Sequence, residues 1–246
     1  MNEPIWNTYL SDEEKAIFAG SGWGGRAGFG KRPGLAVIDV SYGFCGEKGL
    51  PIAESQKKWP LSCGPAAWDA VAQIKRLIDK AHQVGVPVFY TTGERRPDRW
   101  DAGSWGWKNQ RLRNWSVNPA SLAHHKIVDE IAPAPQDVVI IKQKPSGFFG
   151  TSLASFMTLL GCDSLIVTGT TTSGCIRATV LDGFSMNYRM IVSEEGCFDR
   201  FPTSNAMNLF DMNAKYADVL KTDEILAYMD TLPAGLFELP KGVAQG

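Results

Sequence analysis

Short apolar runs that alternate with helically periodic segments restrict the fold of this chain more than any other feature. Leu35-Ala-Val-Ile-Asp39, Pro87-Val-Phe-Tyr-Thr91, Val138-Val-Ile-Ile-Lys142, Ser164–Thr168 and Arg189–Ser193 read as strands. Their apolar residues are continuous rather than alternating, which suits strands covered on both faces. Between the first two, Ala67, Val71, Ile74, Leu77 and Ile78 recur at helical spacing, predicting a helix over Ala66–His82. Thr151–Leu160, Cys175–Met186, Asn205–Tyr216 and Thr222–Met229 read as further helices, and Asp218–Leu220 as a sixth short strand. This alternation predicts an α/β fold, a Rossmann-like three-layer α-β-α arrangement with a mostly parallel six-stranded sheet. Ligands of such sheets bind beyond the carboxyl ends of the strands.

The ends of the chain read differently. Residues 1–30 are expected to form an arm, 31–230 one domain and 231–246 a tail. Ser11-Asp-Glu-Glu14 is a capping-box pattern that predicts a helix start at Ser11. Gly20-Ser-Gly-Trp-Gly-Gly25 matches GxGxxG by letter, but it precedes the first strand instead of following one. The dinucleotide reading therefore lacks its context, and a glycine-rich linker that packs on a neighbouring subunit is the alternative. A net charge of −1 offers no bulk attraction to nucleic acid or an anionic membrane. No run of apolar residues is long enough to span a bilayer, and no signal pattern opens the chain. A cytoplasmic protein is expected.

Gly93–Ser116 is rich in Arg and Trp and has no periodicity. It follows the second strand as a long loop, to be read either as a lid or as a subunit contact. The five cysteines, Cys45, Cys63, Cys162, Cys175 and Cys197, are widely spaced and form no CxxC pair. Neither a disulfide framework nor a thiolate zinc site is expected. Four read as small buried hydrophobes. Cys175 differs, because Ile166-Val-Thr-Gly-Thr-Thr-Thr-Ser-Gly-Cys175 places it where a strand turns into a helix. Helix-start amides are expected to lower its pKa and to bind a developing oxyanion.

Two more polar groups end apolar strands. Asp39 closes the first, either as a turn cap or as one member of a buried pair. Lys142 closes the third, either as a snorkelling surface lysine or as that pair's cation. With Cys175 they form a coherent set: a carboxylate to take the thiol proton, an ammonium beside it, and helix-start amides for the oxyanion.

On Ala36-Val-Ile-Asp39, Ile140-Ile-Lys-Gln-Lys-Pro-Ser-Gly-Phe-Phe-Gly-Thr151 and Gly169-Thr-Thr-Thr-Ser-Gly-Cys175, the chain resembles the isochorismatase-like cysteine hydrolases. The resemblance runs from about Gly22 to the last helix. It implies a catalytic triad of Asp39, Lys142 and Cys175. The family motif sets its lysine four residues before the serine, and Ser146 selects Lys142. Lys144 would share the strand face with it and stays open. The resemblance also implies a cis peptide between Thr170 and Thr171, with the Thr171 and Cys175 N–H groups forming the oxyanion hole. Gly196-Cys-Phe-Asp-Arg200 and Asn208–Asp218 are similar to the carbamoylsarcosine-hydrolysing branch. There Arg200 would bind a substrate carboxylate, with a structural salt bridge as the alternative. Thr170, Phe44, Phe149 and Trp107 are further substrate-binding candidates, and Arg177 is expected to turn away from the thiol into a packing or ion-pair role.

The three histidines are expected outside any metal site: His82 on an outer helix face, and His124-His125 in a helical stretch where neighbours diverge. The Asp-x-His…His pattern of the nicotinamide-hydrolysing members is missing, so the resemblance implies no metal and no cofactor. Members that cleave the vinyl ether lack the cysteine. The implied activity is hydrolysis of a small linear ureido or amide substrate that bears a carboxylate. N-carbamoylsarcosine, giving sarcosine, carbon dioxide and ammonia, is the first expectation, and maleamate or biuret are alternatives. A homo-oligomer, often a tetramer, is implied. The rival classes are a non-catalytic scaffold on the same fold and a nucleotide-dependent oxidoreductase, the latter resting only on the misplaced glycine run.

Overall fold

The computed structural model describes residues 3–109 and 123–239. Six strands form one sheet: β1 (Pro33–Ile38), β2 (Val88–Thr92), β3 (Val138–Ile141), β4 (Ser164–Thr170), β5 (Arg189–Phe198) and β6 (Asp218–Leu220). Their order is β3-β2-β1-β4-β5-β6, and every neighbouring pair is parallel. β1, β2 and β4 are buried at every position, as continuous apolar runs between two helical layers require. β3 is an edge strand, and its Val139 and Ile141 are exposed.

The helices that frame the sheet and its site are α1 (Asp12–Gly20), α2 (Tyr42–Cys45), α3 (Pro65–Val84), α4 (Leu153–Leu159), α5 (Arg177–Ser185), α6 (Pro202–Lys215) and α7 (Thr222–Met229). Proline in the first turn of α3 removes one of the amides that a helix start leaves unpaired, and Gly85 stops the helix in the left-handed region, its N–H bonded to the Ala81 carbonyl. The periodic stripe Ala67, Ala70, Val71, Ile74, Leu77, Ile78 and Ala81 is its buried face. Truncating Ile74 or Leu77 to Ala would cost about 2–5 kcal/mol. α3 and α7 pack on each other and on β5, while α5 and α6 pack together; right-handed crossovers put this second pair on the opposite face.

One element departs from the sequence reading. β5 continues past Ser193 through Glu194 and Glu195, which look like the end of a strand. Both carboxylates are satisfied locally: Glu194 pairs with Lys221 and accepts the Ile5 N–H at 3.2 Å, and Glu195 accepts the Thr222 N–H at 2.8 Å. The arm packs on its own chain. Ser11 caps α1 in a complete capping box with Glu14. Trp6 is buried beside Phe210 at 6.3 Å, and Phe18 meets the same ring at 5.0 Å. The Ala27 and Gly28 N–H groups both donate to Asp218, at 3.0 and 2.7 Å.

The loop after β2 is described only as far as Asn109, so residues 110–116 of the expected 93–116 segment lie outside the described residues. The same holds for Met1, Asn2 and residues 240–246. Among the described residues no helix is long and apolar enough to cross a membrane. Connections leave β1 toward β2 and leave β4 toward β5, so the winding direction reverses between β1 and β4. That reversal opens a crevice at their carboxyl ends.

Candidate active site

Asp39 stands just beyond β1 with φ +55°, a left-handed conformation that aspartate tolerates better than most residues. Its N–H donates to the Thr91 carbonyl at 3.1 Å, and the Thr91 hydroxyl donates to Oδ1 at 2.9 Å. Lys142 stands just beyond β3, its N–H held by the Thr92 carbonyl at 2.9 Å. The lysine side chain reaches past the end of β2, which separates β3 from β1, to meet Asp39. Nζ lies 2.7 Å from Asp39 Oδ2, 3.4 Å from Cys175 Sγ and 3.0 Å from the Lys144 carbonyl. Its three protons thus have three acceptors. Both Asp39 and Lys142 are only 6% exposed.

Lys144 contributes that carbonyl and not its ammonium, which turns toward Gly103. The strand ends at Ile141, so the extended geometry that would align the two lysines on one face is absent.

Cys175 is delivered by β4. Gly169 has φ +111°, and a Cβ there would lie 2.1 Å from the Ile38 carbonyl oxygen, so only glycine lets β4 pass β1 at this point. The Thr170–Thr171 peptide is cis. Thr172–Ile176 forms a single π-turn, and α5 begins only at Arg177. The α-helix thus starts two residues after Cys175, which lies inside the wide turn, a local widening often found at functional sites. The turn is pinned on every side. Gly174 and Ile176 N–H groups donate to the Thr171 carbonyl at 2.9 and 3.2 Å. Ser173 donates from N and Oγ to buried Asp199 at 2.9 and 2.6 Å. The Thr179 hydroxyl donates to the Cys175 carbonyl at 2.7 Å and accepts the Gly147 N–H at 2.8 Å, tying the turn to the loop after β3.

The electrostatics correct one expectation. The Cys175 thiol is not lowered; it is pushed up to about 12, first by burial and then by the adjacent Asp39 carboxylate, with Lys142 opposing. Burial acts to lower the Lys142 ammonium, but Asp39 and the Cys175 sulfur outweigh it and hold Lys142 above its ordinary value. The site thus sets a buried thiol, pushed up in pKa, beside a carboxylate that an ammonium already holds. Such a site can move one proton from sulfur to Asp39 as sulfur attacks a carbon.

The remaining candidates divide. The Arg200 guanidinium donates to the Leu61 carbonyl and lies 5.7 Å from the centre of the Phe44 ring. No carboxylate among the described residues lies within ion-pair reach of it. Arg177 turns away, donating to Asn208 at 2.9 Å with Asp211 at 3.8 Å. The Thr170 hydroxyl is fully buried and donates to the Phe198 carbonyl at 3.1 Å, so its side chain is not open to a ligand. Phe149 is 66% and Trp107 81% exposed. The Trp105 Nε1–H donates to the carbonyl of Gln143, the residue after Lys142, at 3.1 Å.

The histidines also differ from expectation. His82 is half-buried and 2.8 Å from Asp137. His124 and His125 do not diverge: their rings meet edge-on at 5.1 Å beside the cluster. Their doublet in sequence carried no periodicity that would have flagged them. Among the described residues no group of three or more His, Cys, Asp or Glu side chains is arranged to hold a metal.

Known proteins supply the context for this geometry. The isochorismatase domain family matches residues 33–224. N-carbamoylsarcosine amidase of an Arthrobacter species is 36% identical over 228 residues, covering 92% of this chain and 82% of that protein. Maleamate amidohydrolase of Pseudomonas putida is 32% identical over 206 residues, covering 83% and 90%. An isochorismatase family protein from Desulfovibrio vulgaris superposes with a TM-score of 0.68 at 28% identity, covering 80% of this chain and 100% of that one.

Proposed function

The chain belongs to the isochorismatase family and is an amidohydrolase; from that premise we propose that Cys175, Asp39 and Lys142 carry its chemistry. The observation that carries the reading is the Lys142 ammonium, which bridges the Asp39 carboxylate and the Cys175 sulfur at 2.7 and 3.4 Å. Sulfur attacks the amide carbon while its proton passes to Asp39. The resulting oxyanion is held by the Thr171 and Cys175 N–H groups. The C–N bond then breaks, and the proton on Asp39 leaves with the nitrogen as ammonia. Water, deprotonated by Asp39, attacks the thioester-type carbon. The C–S bond breaks, and the sulfur recovers a proton. Lys142 keeps the carboxylate and the transient thiolate from repelling each other.

The substrate is a small linear ureido or amide compound with a carboxylate, N-carbamoylsarcosine first and maleamate second. Support comes from the similarity to the two amidohydrolases and from Arg200, which has no protein carboxylate to pair with among the described residues. A planar guanidinium suits a bidentate carboxylate partner. For N-carbamoylsarcosine the carbonyl carbon leaves as carbon dioxide after the released carbamate breaks down to sarcosine.

Ammonia release from N-carbamoylsarcosine, maleamate, biuret and nicotinamide tests the reading. Turnover of an anionic amide is expected, with Arg200→Ala raising its KM well above any change for a neutral amide. No ammonia from any of the four would overturn the assignment, and equal KM changes would make Arg200 structural.

A further inference from the structure

His124 and His125 are the largest polar feature beside the cluster that the reaction above leaves unused. Their placement is built. The following segment pairs antiparallel with the residues after Asp39: Ser41 bridges Ile127, the Tyr42 N–H donates to the Lys126 carbonyl at 2.9 Å, and the Val128 N–H donates to Val40 at 3.3 Å. The Thr92 hydroxyl holds the His125 carbonyl. His125 therefore sits on the end of β2, between the strands that deliver Asp39 and Lys142.

Two glycines make the room. A Cβ on Gly93 would lie 2.8 Å from His125 Nδ1 and Cε1, and a Cβ on Gly43 would lie 2.2 Å from His124 Nδ1. Neither glycine has a positive φ, so their reason is space for the rings and not backbone conformation. Gly43 even lies inside α2, where alanine would favour the helix more. The Nδ1–Cε1 edge of the His125 ring is the one that faces Gly93, and Nε2 lies further from the glycine than Nδ1 does. Among the described residues, the charged and titratable groups around the His125 ring are Arg95, Asp39, Lys142 and the ring of His124. Burial first, then the Arg95 and Lys142 charges, hold His125 below its ordinary value against the pull of Asp39. A neutral imidazole offers one donor and one acceptor.

Taking the amidohydrolase reading as given, we propose that His125 recognises the departing –NH2 of a primary amide or terminal ureido group, Nε2 accepting one of its N–H bonds. The carbonyl oxygen occupies the Thr171–Cys175 side, so the nitrogen falls on the Asp39 side, where His125 stands. His125 takes no proton; it orients the nitrogen that Asp39 protonates. The substrate class is accordingly unsubstituted carboxamides and ureas. Compounds alkylated on the leaving nitrogen lose this contact.

The test measures kcat/KM for the fastest amide of the panel above, together with the rate of Cys175 alkylation by iodoacetamide. His125→Phe keeps a packed ring and removes the acceptor; a loss of about tenfold or more is expected, in line with one hydrogen bond to a reacting group. His125→Gln restores an acceptor near Nε2 and should recover to within about threefold, with alkylation unchanged in both variants. Gly93→Ala crowds the ring without removing it and should lower kcat/KM in the same direction. A His125→Phe enzyme within threefold of the parent, or a His125→Gln enzyme as impaired as His125→Phe, overturns the proposal while parent turnover leaves the broader reading intact. A parent that releases no ammonia from any amide sinks both.

Discussion

The ends of β1, β3 and β4 and the loop after β2 share one edge of the sheet and are built in opposite ways. At the strand ends, the polar side chains are buried and bonded to one another: Asp39 to Thr91 and Lys142, Lys142 to three acceptors, the Cys175 turn to Asp199 and Thr179. The loop carries the conspicuous residues, yet Trp100 and Trp107 are each 81% exposed, and the Arg96–Asp98 pair lies on the surface. Exposed pairs of that kind contribute little. The difference teaches that buried, mutually bonded polar groups mark a candidate site better than aromatic richness does.

Four experiments break or sharpen this contrast. Cys175→Ser should lower kcat by about a thousandfold or more, the scale of removing a nucleophile, with the thermal transition nearly unmoved because the side chains are close in size. Substantial residual ammonia release would move the nucleophile elsewhere. Lys142→Ala should cost about 10²–10⁴ in kcat and also destabilise, since it leaves the Asp39 carboxylate buried without its cation. Lys144→Ala, which keeps the backbone carbonyl that Lys142 uses, should lose far less; the reverse order would reassign the catalytic lysine.

The third experiment concerns ionisation. A thiol pushed up to about 12 stays protonated further up the pH scale than an ordinary cysteine. Alkylation of Cys175 in the free enzyme should therefore be slow at neutral pH and still rising above pH 9. A plateau near pH 7 would reveal a preformed thiolate. The smallest effect is expected in the loop, where Trp107→Ala should leave kcat/KM within about twofold, as for most surface substitutions. A large loss would make the loop part of the site.

Much of this edge was legible in the chain because its strands are short and continuously apolar. A polar residue at the end of such a run stands out, which is why Asp39, Lys142 and the Cys175 turn could be singled out before any coordinates. The choice between Lys142 and Lys144 needed the bend after Ile141. Trp105 and His125 carried no signal, since an indole bonded to a distant carbonyl and an embedded imidazole leave no trace in local periodicity. The thiol's ionisation was misjudged for a related reason. Position at a helix start is a local property, whereas desolvation and the nearby Asp39 charge depend on what the fold stacks around the sulfur.

Local patterning thus determined the α/β class, the parallel sheet and the strand-end residues, because hydrophobic period and turn chemistry act over a few neighbours. Only the tertiary structure decided which ammonium reaches the carboxylate, which ring sits over Gly93, and that burial and Asp39 push the Cys175 thiol up. Those outcomes depend on distances between segments far apart in the chain and on the water excluded when they meet.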